Sequence, residues 1–175
     1  NQGETNQYYP TIYRDTRPVP QPKSPEEGYH FTADMTDEAI AWIQNTGAAD
    51  PDKPWFTYFS TSGVHAPHHA PKEWRDKYKG KFDHGWDKQR ELTHARQLEL
   101  GVIPKGTKLT DRHESIPSWD SRSADEKKVY ARLMENYAAY MAFTDFHVGR
   151  LIDSLEKAGE LDDTLEDSGV RLGGA

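Results

Sequence analysis

A chain of 175 residues with 34% hydrophobic and 29% charged side chains is long enough for one domain. It is lean in core-forming residues beside the roughly 45–50% apolar content, glycine included, of ordinary globular domains. Its formal charge of −7 opposes phosphate backbones and anionic bilayers, so neither nucleic acid nor a membrane is an expected partner. With no cysteine, disulfides, thiolate metal sites and a cysteine nucleophile are excluded and the redox compartment is unreadable; no apolar run approaches the ~18 residues of a membrane span.

Residues 1–31 carry prolines at 10, 18, 20, 22 and 25, a density that excludes helix interior and predicts an extended, surface-hugging arm. Thr32 is the expected cap of a helix in which Met35, Ala39, Ile40, Trp42 and Ile43 recur at helical spacing, with Asp34, Asp37 and Glu38 near its positive end and Gly47 as its stop. A short AADPDKP linker then leads into Trp55-Phe56-Thr57-Tyr58-Phe59, an aromatic and β-branched run that predicts a buried strand. Helix followed by strand is the alternation of an α/β fold. After the run come small residues and three histidines, His65, His68 and His69, interleaved with Pro67 and Pro71. Loops at the carboxyl ends of strands in open α/β sheets face the ligand crevice, which makes this loop the candidate site.

Pro71 suits the first position of a short helix through Trp74 and Tyr78 that ends at Gly80. A second helix from about Gly85 to Leu100 presents Trp86, Leu92, Ala95 and Leu98 and stops at Gly101. Residues 102–122 have no periodicity and predict a long loop. Ser123-Ala124-Asp125-Glu126 is a capping box. The stripe Val129, Leu133, Tyr137, Tyr140 with Met141, Thr144, Val148, Leu151 with Ile152, and Leu155 predicts one long helix to Gly159, packed through that stripe. LDDTL reads as a turn, and residues 166–175 as a disordered tail.

The histidine loop admits several chemistries. Converging imidazoles would bind zinc, but prolines holding the backbone extended separate the side chains. One well-placed ring is enough to donate a hydrogen bond to an oxyanion or exchange a proton with it. Solvated histidines without a role are the third reading. There is no G-x-S-x-G elbow, Gly-rich phosphate loop or H-E-x-x-H pair, and Ser60, Thr61 and Ser62 have no readable base partner. The acidic clusters Asp34-Asp37-Glu38 and Asp162-Asp163 read as a helix start and a turn, and Lys77–Lys81 as a solvated helix end.

The blocks GETNQYYPT, EEGYHFTADMTDEAIAWI, DKPWFTYFSTSGVHAPHHAPKEWRDKYKGKFDHGWD, ARQLELGVIP and YAAYMAFTDFHVGRLIDSLEKAGELDDTL together resemble the middle of a bacterial arylsulfatase, of the sulfatase family in the alkaline phosphatase superfamily. The resemblance implies a partial alkaline-phosphatase-like α/β fold, an incomplete sheet flanked by helices with a long C-terminal helix. Residues 32–165 would be the central part of the catalytic domain. It further implies a calcium-dependent hydrolase of small-molecule sulfate esters whose nucleophile is a formylglycine made from a cysteine. His65, in His65-Ala66-Pro67, matches the family's H-x-P histidine, with an implied catalytic and substrate-binding role toward the sulfate group. His68 and His69 have no counterpart. The family's cysteine is missing here, its first calcium-binding acidic pair would lie upstream of Asn1, and EDSGVRLGGA stands where an Asp-Asn-Gly is expected. No ligand for calcium or formylglycine is therefore carried over. The expectation is an internal segment, inactive alone and needing the rest of a sulfatase chain. A related phosphonate or phosphodiester hydrolase and a non-catalytic binding module are the alternatives.

Overall fold

The computed structural model describes residues 5–167. They run β1 (Ile12–Arg14), β2 (Arg17–Val19), α1 (Phe31–Ala49), α2 (Lys72–Asp76), α3 (Gly85–Leu100) and α4 (Ala124–Ala158), with single 3-10 turns at Pro25–Glu27, Trp119–Ser121 and Leu161–Asp163. Two compact units result. One holds the described residues up to Pro67 and those from Thr144 onward, the other His68–Phe143.

In the first unit the arm is more structured than its prolines suggest. β1 and β2 pair antiparallel, with Ile12 opposite Val19 and Arg14 opposite Arg17, and Asp15 takes the left-handed conformation at the turn (φ 55°), which Asp tolerates better than most residues. Ser24 and Glu27 then form a reciprocal capping box on the first 3-10 turn. The cap of α1 is His30 and not Thr32: His30 Nδ1 accepts the Thr32 N–H at 3.2 Å, and Thr32 lies fully buried inside the first turn. The helix also continues past Gly47 to Ala49. A Cβ at Gly47 would lie 3.3 Å from Glu160 Oε1, so glycine there accommodates a close neighbour instead of ending the helix.

The strand expected at Trp55–Phe59 is not formed. Its side chains alternate in exposure as on a strand, with Phe56 and Tyr58 83% and 82% exposed and Trp55, Thr57 and Phe59 half-buried. A strand, however, is made by hydrogen bonds to a neighbour, and the β1–β2 hairpin is the only sheet among the described residues. Thr57 Oγ1 is buried without a hydrogen-bond partner. The flanked, partly built sheet is thus absent from these residues, which form a helical chain with one small hairpin, consistent with part of an α/β fold.

In the second unit α2 is shorter than expected, ending at Asp76 and continuing as turns. The Gly80 N–H donates to Glu135 Oε1 at 2.7 Å, and Arg132 holds the other Glu135 oxygen at 2.6 Å. α3 occupies its expected span and ends at Gly101 in the left-handed conformation (φ 72°). The long loop is tied back on α3 through Asp87, which accepts the Trp119 N–H at 2.8 Å and pairs with Arg112 at 3.1 Å. α4 starts at the expected box: the Ser123 N–H donates to Glu126 Oε2 at 2.8 Å and the Glu126 N–H to Ser123 Oγ at 3.3 Å. The bond from the Ser123 N–H is the main reason the Glu126 carboxyl lies below its usual range.

The face α4 buries differs from the expected stripe. Ala131, Glu135, Ala139 and Phe143, outside the stripe, are buried together with its Tyr140, whereas Val129, Leu133 and Met141 are about half exposed. Small alanines on the inner face admit close packing, so the large apolar residues do not mark the packed side over this stretch. Farther along, Thr144 and Leu155 are buried as expected.

Candidate functional site around His65

The site is built from the arm inward. Gln7, within the GETNQYYPT block, is fully buried. Its carbonyl oxygen accepts the Phe31 N–H at 2.8 Å, while its side-chain Oε1 accepts Ser62 Oγ–H at 3.0 Å and Thr32 Oγ1–H at 3.4 Å. One amide therefore fastens the arm, the start of α1 and the histidine turn. Ser62 is buried by this arrangement, and its carbonyl accepts the His65 N–H at 2.8 Å. Beside it Gly63 packs where no side chain fits: a Cβ there would lie 2.0 Å from Thr144 Oγ1.

At the end of this anchored turn the His65 ring is exposed to solvent. Its Nδ1 lies 2.8 Å from the Ala66 carbonyl oxygen. A carbonyl only accepts, so Nδ1 carries the proton in that bond and Nε2 is the ring nitrogen left to meet a ligand. When neutral it accepts; when protonated it donates. The backbone here turns at residues 63–64 and bends through 65–67, with a cis Ala66–Pro67 peptide, and is not the extended chain expected from the prolines.

His68 and His69 belong to the second unit. The His68 ring meets Tyr137 edge-on at 5.1 Å, and its carbonyl accepts from the Asn136 side-chain amide. His69 is half-buried, and that burial holds its pKa below the usual histidine value. These two rings are packed parts of the fold, which the sequence pattern did not distinguish from His65. Gln7 and Ser62 were missed as well. Their only signal was that Gln7 sits in a distinctive block, since a glutamine among prolines reads as surface.

Among the described residues no group of three or more His, Asp or Glu side chains is placed to hold a metal ion. No cysteine exists to be converted into an aldehyde. These residues therefore do not fit calcium or formylglycine on their own.

The family model described as Sulfatase matches residues 1–165. The chain belongs to the sulfatase family. It is 35% identical over 117 residues to an uncharacterized sulfatase of Schizosaccharomyces pombe, covering 66% of this chain and 21% of that protein. It is 30% identical over 125 residues to the arylsulfatase of Klebsiella aerogenes, covering 71% and 26%. An N-acetylglucosamine-6-O-sulfatase of Bacteroides thetaiotaomicron is 26% identical, with 98% and 38% covered. This sulfatase chain spans about a fifth to two-fifths of the length of those relatives. Their differing names, an arylsulfatase and a sugar 6-O-sulfatase, mark sulfuric ester hydrolysis as the level they share.

Proposed function

We propose that this chain is the part of an arylsulfatase that presents His65 to the sulfuryl group of a small-molecule ester, and that it takes up an alkaline-phosphatase-like α/β fold. The observation that carries this reading is an exposed imidazole whose Nδ1 is engaged by the Ala66 carbonyl, which leaves Nε2 as the nitrogen for a ligand. Support comes from the His65-Ala66-Pro67 match, the 30% identity to an arylsulfatase and the anchoring of the turn through Gln7 and Ser62. A protonated Nε2 donates to a sulfuryl oxygen, where negative charge gathers as the ester bond breaks, and can pass its proton to the departing oxygen. No step is assigned to calcium or formylglycine, for which these residues offer no ligands. The unpaired segment at Trp55–Phe59 and the short share of each relative both favour completion of the sheet by further sulfatase polypeptide.

The 175 residues alone, given an aryl sulfate and calcium, are expected to release no phenol above blank. In a longer chain containing them, His65→Ala is expected to lower turnover at least roughly tenfold, the lower end of what one donor or acid–base group supplies. Unchanged turnover there removes His65 from the site, and activity on phosphate but not sulfate esters reassigns the chain to phosphoryl transfer.

A further inference from the structure

The second unit holds a cavity of about 720 Å³, within the roughly 300–1,000 Å³ range of small-molecule pockets. Its walls are aromatic. The Trp86 ring meets Trp119 at 4.7 Å and Tyr130 at 5.4 Å, both edge to face, and Tyr137 also lines the cavity. Trp86 is fixed by its indole N–H, which donates to the Pro117 carbonyl at 3.1 Å. Rings already packed edge to face on one another make a fixed aromatic wall, against which a further flat ring can stack or set its edge.

The only permanently charged side chain in the lining is cationic. In a chain of net charge −7, no Asp or Glu lines this cavity, whereas Arg90 does. Arg90 hydrogen-bonds only the neutral Thr110, through one nitrogen, at 2.9 Å to its carbonyl and 3.0 Å to its hydroxyl. It makes no ion pair within 4.0 Å among the described residues; the nearby Asp87 carboxylate feels its charge but is held by Arg112 and the Trp119 N–H. A guanidinium with donors to spare beside aromatic walls is the chemistry that takes a planar oxyanion.

We propose that this cavity binds a planar aromatic anion, an arenesulfonate or arenecarboxylate, with the ring against the wall that Trp86 and Tyr130 form together and the charge at Arg90. The site lies wholly within residues 68–143 and needs nothing from His65, so its fate is separate from that of the sulfatase reading.

The test is calorimetric titration of the full chain with 2-naphthalenesulfonate. Saturable one-to-one binding with a Kd of roughly 0.1–1 mM is expected. Arg90→Gln and Leu133→Trp, the latter filling the cavity from a half-exposed lining position, should each weaken it about tenfold, with circular dichroism unchanged. Cyclohexanesulfonate should bind at least about tenfold more weakly, for want of ring stacking. No saturable heat, equal binding of the cyclohexyl compound, or full affinity in a folded Arg90→Gln or Leu133→Trp protein overturns the proposal.

Discussion

Gln7 and His147 show how much of this structure rests on single buried polar groups. Gln7 serves three segments at once, and removing it would take away an acceptor shared by two buried hydroxyls, on Ser62 and Thr32. His147 is buried in α4 with Arg150 Nη1 3.0 Å from its Nδ1. An arginine only donates, so that ring nitrogen must stay unprotonated. Burial, then the Arg150 charge, pushes the His147 pKa down to about 4, against a smaller opposing pull from Asp37. The unfolded chain, with an ordinary value near about 6.5, binds the proton more readily than the folded one. Stability from this residue is therefore complete above about pH 6.5 and is lost as pH falls toward about 4. His147→Gln should flatten that part of the profile, whereas titrating carboxylates act alike in both proteins. Urea midpoints at pH 7.5 and pH 5 would show the parent losing more than the variant; equal losses would place the cause elsewhere. Neither role is legible in the sequence, because burial of Gln7 and His147 is decided by partners such as Ser62 and Asp37, far away along the chain.

At the scale of elements, local signals were readable and distant ones were not. The Ser123–Glu126 box and Gly101 marked true ends of α4 and α3 because a cap involves only residues within one turn. The cap of α1 was misassigned because imidazole Nδ1 can do what a hydroxyl does, and the inner face of α4 because alanine packs without announcing itself in a hydrophobic stripe. Gly85 combines both scales. It opens α3 in the left-handed conformation (φ 78°), and a Cβ there would sit 2.1 Å from the Trp119 ring. Gly85→Ala should cost on the order of 3 kcal/mol, from left-handed strain and overpacking together. It should also expel Trp119 from its buried seat. A fall in the urea midpoint accompanied by a weaker near-ultraviolet tryptophan signal is the expected result, and an unchanged midpoint would show that the loop carrying Trp119 yields freely.

At the scale of the whole molecule, the family was legible across nearly all of the chain, whereas the sheet was not. Aromatic and β-branched residues at 55–59 encode the tendency to be a strand, but the hydrogen bonds that make one belong to a neighbour. What remains is a segment with Phe56 and Tyr58 outermost. An unpaired edge bearing exposed aromatic rings is a template for self-pairing. The net charge of −7 opposes association, but only over distances of about 8–10 Å at ordinary ionic strength. Self-association should therefore strengthen as salt is added, opposite to what ion pairing between copies would give. Replacing Phe56 and Tyr58 together by lysine should suppress it at every salt concentration without altering helical content, since both side chains face solvent and α1–α4 lie elsewhere in the sequence. Light scattering of the two proteins across a salt series decides the matter: scattering that falls with salt, or that survives the double substitution, would mean the chain associates through some other surface.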